Sequence, residues 1–119
     1  MSDQTTTEIM RRFNDAFLRH EADGLSELVA DDCVMESIQP APDGTRVEGK
    51  EACRAFWQAL ATDPNTYFEL EDVVVMGDRA TIRWRYHFGE GHENSVRGVN
   101  LMHVRDGQIV EALGYAKTP

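Results

Sequence analysis

The chain predicts an α+β fold in which three N-terminal helices pack on a strongly curved antiparallel sheet and leave a conical pocket between the layers. Three observations carry this expectation. Ile9, Phe13, Ala16 and Phe17, and later Ala52, Cys53, Phe56, Trp57 and Leu60, recur at helical spacing. Beyond Pro64 the period drops to two, most clearly where Ala80, Ile82, Trp84, Tyr86 and Phe88 alternate with Thr81, Arg83, Arg85 and His87. Between Tyr67 and Met76 the alternation changes phase, from Phe68 and Leu70 to Val73 and Val75, so a bulge near Glu71-Asp72 is expected to bend the sheet.

The elements follow in order. Thr5 and Glu8 have the spacing of a capping box, which predicts a first helix running to about His20. Asp23 is placed to cap a short second helix with Leu25, Leu28 and Val29 on its apolar stripe, closed by Asp31-Asp32. Cys33 to Ile38 reads as a strand, and Pro40-Ala41-Pro42-Asp43-Gly44 as a turn-rich loop. A third helix follows Gly49 and ends at Asp63-Pro64. Gly77-Asp78 and Asp106-Gly107 are hairpin turns, Gly89 to Asn94 is a polar loop, and the strands they join make an antiparallel meander ending near Ala116.

With 119 residues and 13.5 kDa, residues 1–119 are expected to form one domain with room for a single core and no separate cofactor domain. Twelve basic against 21 acidic residues give a net charge of −9, which argues against nucleic acid and anionic membranes as partners. The start MSDQTTTEIM lacks the basic and apolar regions of a signal peptide, and no stretch is apolar enough to span a membrane, so a cytoplasmic protein is expected. Cys33 and Cys53 lack metal-site or disulfide-framework spacing and are expected to be free, buried thiols. His87 and His103 lack ligand spacing as well, and neither a metal nor a cofactor is expected.

Function is most legible at Asn100. It is an uncharged amide in the apolar alternation Val96, Gly98, Asn100, Met102, Val104, and an inward amide needs hydrogen-bond partners that either the core or a ligand can supply. The expected pocket walls are Phe13, Phe17, Met35, Trp57, Trp84, Tyr86 and Met102. Glu36, beside Ser37 at the end of the first strand, is the candidate general base, although strict alternation points it outward. Arg83, Arg85, Arg97, His103 and Arg105 fall on the opposite face with His87, as expected of a solvated surface or a homodimer interface, and Glu111 is expected to pair with an arginine across the sheet.

The element order and the stretches Ala30-Asp31-Asp32, Val47-Glu48-Gly49, Ala55-Phe56-Trp57 and Val104 to Glu111 resemble the NTF2-like superfamily, and within it the SnoaL-like and ketosteroid-isomerase-like domains. The resemblance implies a pocket for a small apolar or amphipathic molecule and reactions of the isomerase, cyclase or hydratase type. It also shows what is missing. The catalytic aspartate of the isomerases corresponds to Ser37, their oxyanion-hole tyrosine to Phe13, and their oxyanion-hole aspartic acid to Asn100, which keeps a donor. Trp57 corresponds to a pocket aromatic. The aspartate and histidine of the cyclases correspond to Gly114 and Asn100. The expectation is therefore a pocket protein anchored by Asn100 without the usual catalytic carboxylates, the alternative being a protein-binding adaptor of the nuclear transport factor 2 type.

Overall fold

Helix α1, Asp3–Leu18, lies across the inner face of a six-stranded sheet, pinned near its start where the buried Thr6 Oγ1 donates to the Gly77 carbonyl at 2.7 Å. The computed structural model describes residues 3–40, 42–89, 91 and 93–117. Ala41, Glu90 and His92, which belong to two of the expected loops, lie outside the described residues, as do the two residues at each terminus. Among the described residues α1 is followed by α2 (Leu25–Leu28), β1 (Val29–Glu36), β2 (Arg46–Glu48), α3 (Lys50–Thr62), β3 (Tyr67–Met76), β4 (Arg79–Phe88), β5 (Asn94–Arg105) and β6 (Gln108–Ala116).

The α+β class and the curved sheet are as expected, and the differences have local causes. The helix begins ahead of Thr5, which therefore lies inside it and does not cap it. At α2 the N-cap is Gly24, with no side-chain bond, so Asp23 does not cap either. Asp31 and Asp32 do not close a helix, because buried Val29 and Ala30 already begin β1. Helices and strands interleave rather than segregate, with β1 and β2 preceding α3. The edge strand β2 was not expected; at three residues it is too short to show a period.

The strand order is β2-β1-β6-β5-β4-β3. Four of its pairings are antiparallel, but β1 runs parallel to β6, so the sheet is mixed and the meander is confined to β3 through β6. The bulge in β3 falls at Glu71, which is skipped between the pairs Leu70–Trp84 and Asp72–Arg83. A second one skips Val110 between the pairs His103–Glu111 and Val104–Ile109. It lets both Ile109 and Ala112 face the core. The Asp106-Gly107 turn has φ of 53° and 77°, the left-handed pair that matches the twist of a two-residue hairpin loop.

The core is densest where α1, α2, α3 and the closed end of the sheet meet, at Met10, Leu25, Leu28, Cys33, Cys53, Met102, Val104 and Ile109. Elsewhere between the helices and the sheet, side chains of α1, α3, β3 and β4 border an open space.

Candidate functional site

Between α1, α3 and the inner face of the sheet lies a cavity of about 610 Å³. That size suits a small organic molecule. Its walls are a connected series of rings. Trp57 on α3 meets Phe13 on α1 edge-on at 5.0 Å, Phe13 touches Phe17 at 5.0 Å, and Phe17 meets Phe68 of β3 at 5.5 Å. Phe68 then contacts Trp84 at 5.5 Å and Tyr86 at 4.7 Å, and Tyr86 stacks on Phe88 at 5.5 Å. The period-two row of β4 places Ile82, Trp84, Tyr86 and Phe88 along one side, and the helical repeat of α3 adds Phe56 and Leu60. These tilted, edge-on and stacked contacts are favoured aromatic geometries, and they join the rings into a continuous wall along the space.

Asn100 lies on this surface, paired in register with Ile82 of β4 and Gly114 of β6. The indole Nε1–H of Trp84 donates to its Oδ1 at 3.2 Å. An indole nitrogen can only donate, so the carboxamide oxygen must face it. The amide nitrogen Nδ2 then points the other way with two N–H groups and has no partner among the described residues. No fully enclosed side-chain nitrogen or oxygen lacks a partner there, so the open side of Nδ2 is the cavity that Asn100 lines.

Two glycines make this contact possible. Trp84 stands opposite Gly98, and a Cβ on Gly98 would lie 2.5 Å from Cη2 of the indole and 2.5 Å from the Tyr115 carbonyl. The ring crosses the bare strand there and reaches Asn100, two residues further on. At Gly114 a Cβ would meet the Glu36 carbonyl at 2.9 Å and Asn100 Oδ1 at 3.4 Å.

The structure brings Phe13, Phe17, Met35, Glu36, Ser37, Trp57, Trp84, Tyr86, Asn100 and Gly114 around one space. Met102 is the exception. It is 2% exposed, pairs in register with Ala80 and Ala112, belongs to the buried core, and is not among the residues that line the cavity. Glu36 borders the cavity, but its carboxylate accepts from Arg46 Nη1 at 3.1 Å, across the β1–β2 pairing. Ser37 is engaged in its loop, its hydroxyl donating to the Gln39 carbonyl at 2.9 Å and accepting from Thr45 N at 3.2 Å. Among the described residues Tyr86 is the other ionisable lining group. Burial pushes its phenol above the ordinary value, against a hydrogen bond with Thr66 that lowers it.

Sequence reasoning did not single out the apolar lining residues Leu18, Phe56, Leu60, Phe68, Leu70, Ile82, Phe88, Val96 and Ala112, and it also missed Asn14, Ile38, Gln39 and Thr45. Asn14 follows Phe13 on the edge of the apolar stripe of α1 and could have been found from the helical period. The other three depend on how the loop after β1 folds back. Among the described residues no cluster of histidine, cysteine and carboxylate side chains could hold a metal. The two thiols are free and buried; desolvation, then the neighbouring Cys53 thiol, pushes Cys33 far above the ordinary cysteine value.

On the outer face charges pair across strands. Arg97 makes two bonds of 3.0 Å to Glu71, Arg105 binds Asp32 at 2.7 and 3.1 Å, and Arg79 meets Glu111 at 3.6 Å. His87 pairs with Glu69 while stacking on Tyr67, and His103 contacts Asp78 at 3.0 Å. These charges are accounted for structurally, outside the cavity.

A bulged sheet wrapped over helices around an apolar cavity is the architecture of the NTF2-like proteins. The SnoaL-like domain family matches residues 10–112, and the chain belongs to it. Among solved structures, an NTF2-like protein of unknown function from Mesorhizobium loti is 57% identical, with a TM-score of 0.92 over 98% of this chain and 93% of that one. A candidate polyketide cyclase from Sinorhizobium meliloti is 25% identical, with a TM-score of 0.74 over 91% and 94% of the two chains. A candidate ketosteroid isomerase from Kribbella flavida, 18% identical over 98% and 80%, has a TM-score of 0.80 and shares the fold. No curated protein matches the chain.

Proposed function

We propose that this protein binds a small, largely apolar or amphipathic molecule in the cavity, with Asn100 as polar anchor and Phe13, Phe17, Trp57, Trp84 and Tyr86 as walls. The observation that carries this reading is the partnerless amide nitrogen of Asn100 inside an aromatic enclosure. An exposed donor in an apolar cavity gains little from the protein, and a ligand oxygen there would satisfy it. Among the described lining residues, any isomerisation, cyclisation or hydration would find no carboxylate free of an ion pair. Glu36 is held by Arg46, and Gly114 leaves no room for a longer side chain beside the Glu36 carbonyl. Thermal-shift screening of hydrophobic carbonyl compounds tests the reading: a ligand at 100 times its Kd should add about 2.7 kcal/mol of stability. Asn100→Ala should weaken every hit, and unaltered affinities would remove Asn100 as the anchor.

We further propose that the working unit is a homodimer formed through the outer sheet face. Val74, Thr81, Leu101 and Leu113 lie in register across β3 to β6, with Val99 and Tyr115 beside them, and Val74, Leu101 and Tyr115 are 53%, 43% and 53% exposed. The flanking rows carry both charge signs, paired, which lowers the repulsion that a chain of net charge −9 would meet from a second copy.

A further inference from the structure

We propose that Trp84 is a positioning residue that sets the polarity of the anchor, so that the cavity selects ligands whose buried end carries a carbonyl-type acceptor oxygen and disfavours ligands ending in a donor. The inference rests on the binding reading above and adds a direction to it. A carboxamide can present either its oxygen or its nitrogen, and by itself it serves donors and acceptors alike. Here the indole N–H of Trp84 occupies Oδ1, and turning the amide over would set Nδ2–H against Nε1–H, two donors face to face with both left unsatisfied. The ring cannot easily be displaced, because Phe68 abuts it edge-on at 5.5 Å and Gly98 lies beneath it. Of the remaining polar residues described on the lining, the Ser37 and Thr45 hydroxyls and the Glu36 carboxylate are bonded within the β1–β2 region, the Tyr86 phenol is bonded to Thr66, and Asn14 and Gln39 belong to α1 and the loop after β1. None of these side chains hydrogen-bonds the Asn100 amide. The end of the cavity at Asn100 is therefore a fixed pair of N–H donors backed by an indole.

Three probes separate the possibilities in the intact protein: 2-acetylnaphthalene, its hydrocarbon isostere 2-isopropenylnaphthalene, and carbazole, whose N–H donates and cannot accept. The wild type should bind the ketone about tenfold more tightly than the isostere, the worth of one hydrogen bond. In Trp84→Phe, which keeps a ring but removes the N–H, the amide is free to turn. The ketone-to-isostere ratio should fall several-fold, and the affinity for carbazole relative to the isostere should rise. A Trp84 that acted only as wall would shift all three affinities together and leave the ratios unchanged, which would overturn the proposal. Equal binding of ketone and isostere by the wild type would overturn it too while leaving the pocket reading intact, and no binding of any probe would overturn both. Should Trp84→Phe fail to fold, Asn100→Leu gives a second reading. Loss of its acceptor should speed solvent exchange of the Trp84 indole proton and leave that of Trp57 unaltered, and an unchanged Trp84 rate would contradict the hydrogen bond on which the proposal stands.

Discussion

Trp84 and Gly98 face each other across β4 and β5, and the indole lies over the glycine so closely that a Cβ would come within 2.5 Å of the ring. Gly98→Ala should therefore destabilise the protein by about 1–3 kcal/mol, the range for overpacking a filled site. Because the second close atom is the Tyr115 carbonyl, a side-chain shift alone cannot relieve the clash. Chemical denaturation checks the stability, and tryptophan fluorescence should report the moved ring.

Trp57 closes the other end of the ring series, 3% exposed and edge-on to Phe13. Trp57→Ala should cost about 3–5 kcal/mol. If the enlarged cavity takes up an apolar probe that fills the missing volume, part of that loss should return, and denaturation with and without the probe reads the difference.

The Arg105 guanidinium, hydrogen-bonded to Asp32, holds that carboxyl below its ordinary value of 3.8, and Arg97 does the same for Glu71 below 4.5. Both folded-state values are depressed, so their stabilising contribution is complete above the unfolded values and is lost as pH falls through the folded ones. Removing these pairs should leave neutral-pH stability nearly unchanged, since the groups are exposed. Arg105→Gln should raise the titration midpoint of Asp32 toward 3.8 in a carbon-detected NMR titration. An unmoved midpoint would mean that the pair does not persist in solution.

Cys33 and Cys53 are both fully buried, and their thiols are pushed upward by desolvation. Native protein at pH 8 should react with a disulfide reagent at the rate of global or local opening, and both thiols should react promptly in denaturant. Rapid native labelling of either one would contradict the packing of α3 against β1.

Light scattering should report twice the 13.5 kDa chain mass. Leu101→Glu, placed in the centre of the exposed outer row, should return the monomer while leaving probe binding in the cavity in place. A wild-type monomer at micromolar concentration would remove the proposed interface.

Much of this arrangement is written locally in the sequence. The row from Ala80 to Phe88 keeps one period over a full strand, so its facing is fixed by composition alone, and Asn100 inherits its inward position from the same parity on the next strand. The bulge at Glu71 is legible because the apolar set changes phase around it. The Val110 bulge is not, because Ile109 and Ala112 flank residues with no contrasting pattern. The parallel pairing of β1 with β6 joins opposite ends of the chain, a long-range contact without local signature. Met102 was expected on the wall because parity says which face a residue occupies and nothing about its depth. The contact between Trp84 and Asn100 was hidden for a related reason: it runs diagonally between strands and needs both the register and the bare backbone of Gly98.

The central claim is tested most directly at the Asn100 side-chain amide. In a proton–nitrogen NMR titration with 2-acetylnaphthalene, the two Nδ2 protons of Asn100 should move downfield and saturate with the binding curve, while those of the exposed Asn94 stay in place. A ketone that binds without moving the Asn100 resonance, or an Asn100 amide that behaves as if in bulk water throughout, would contradict the account.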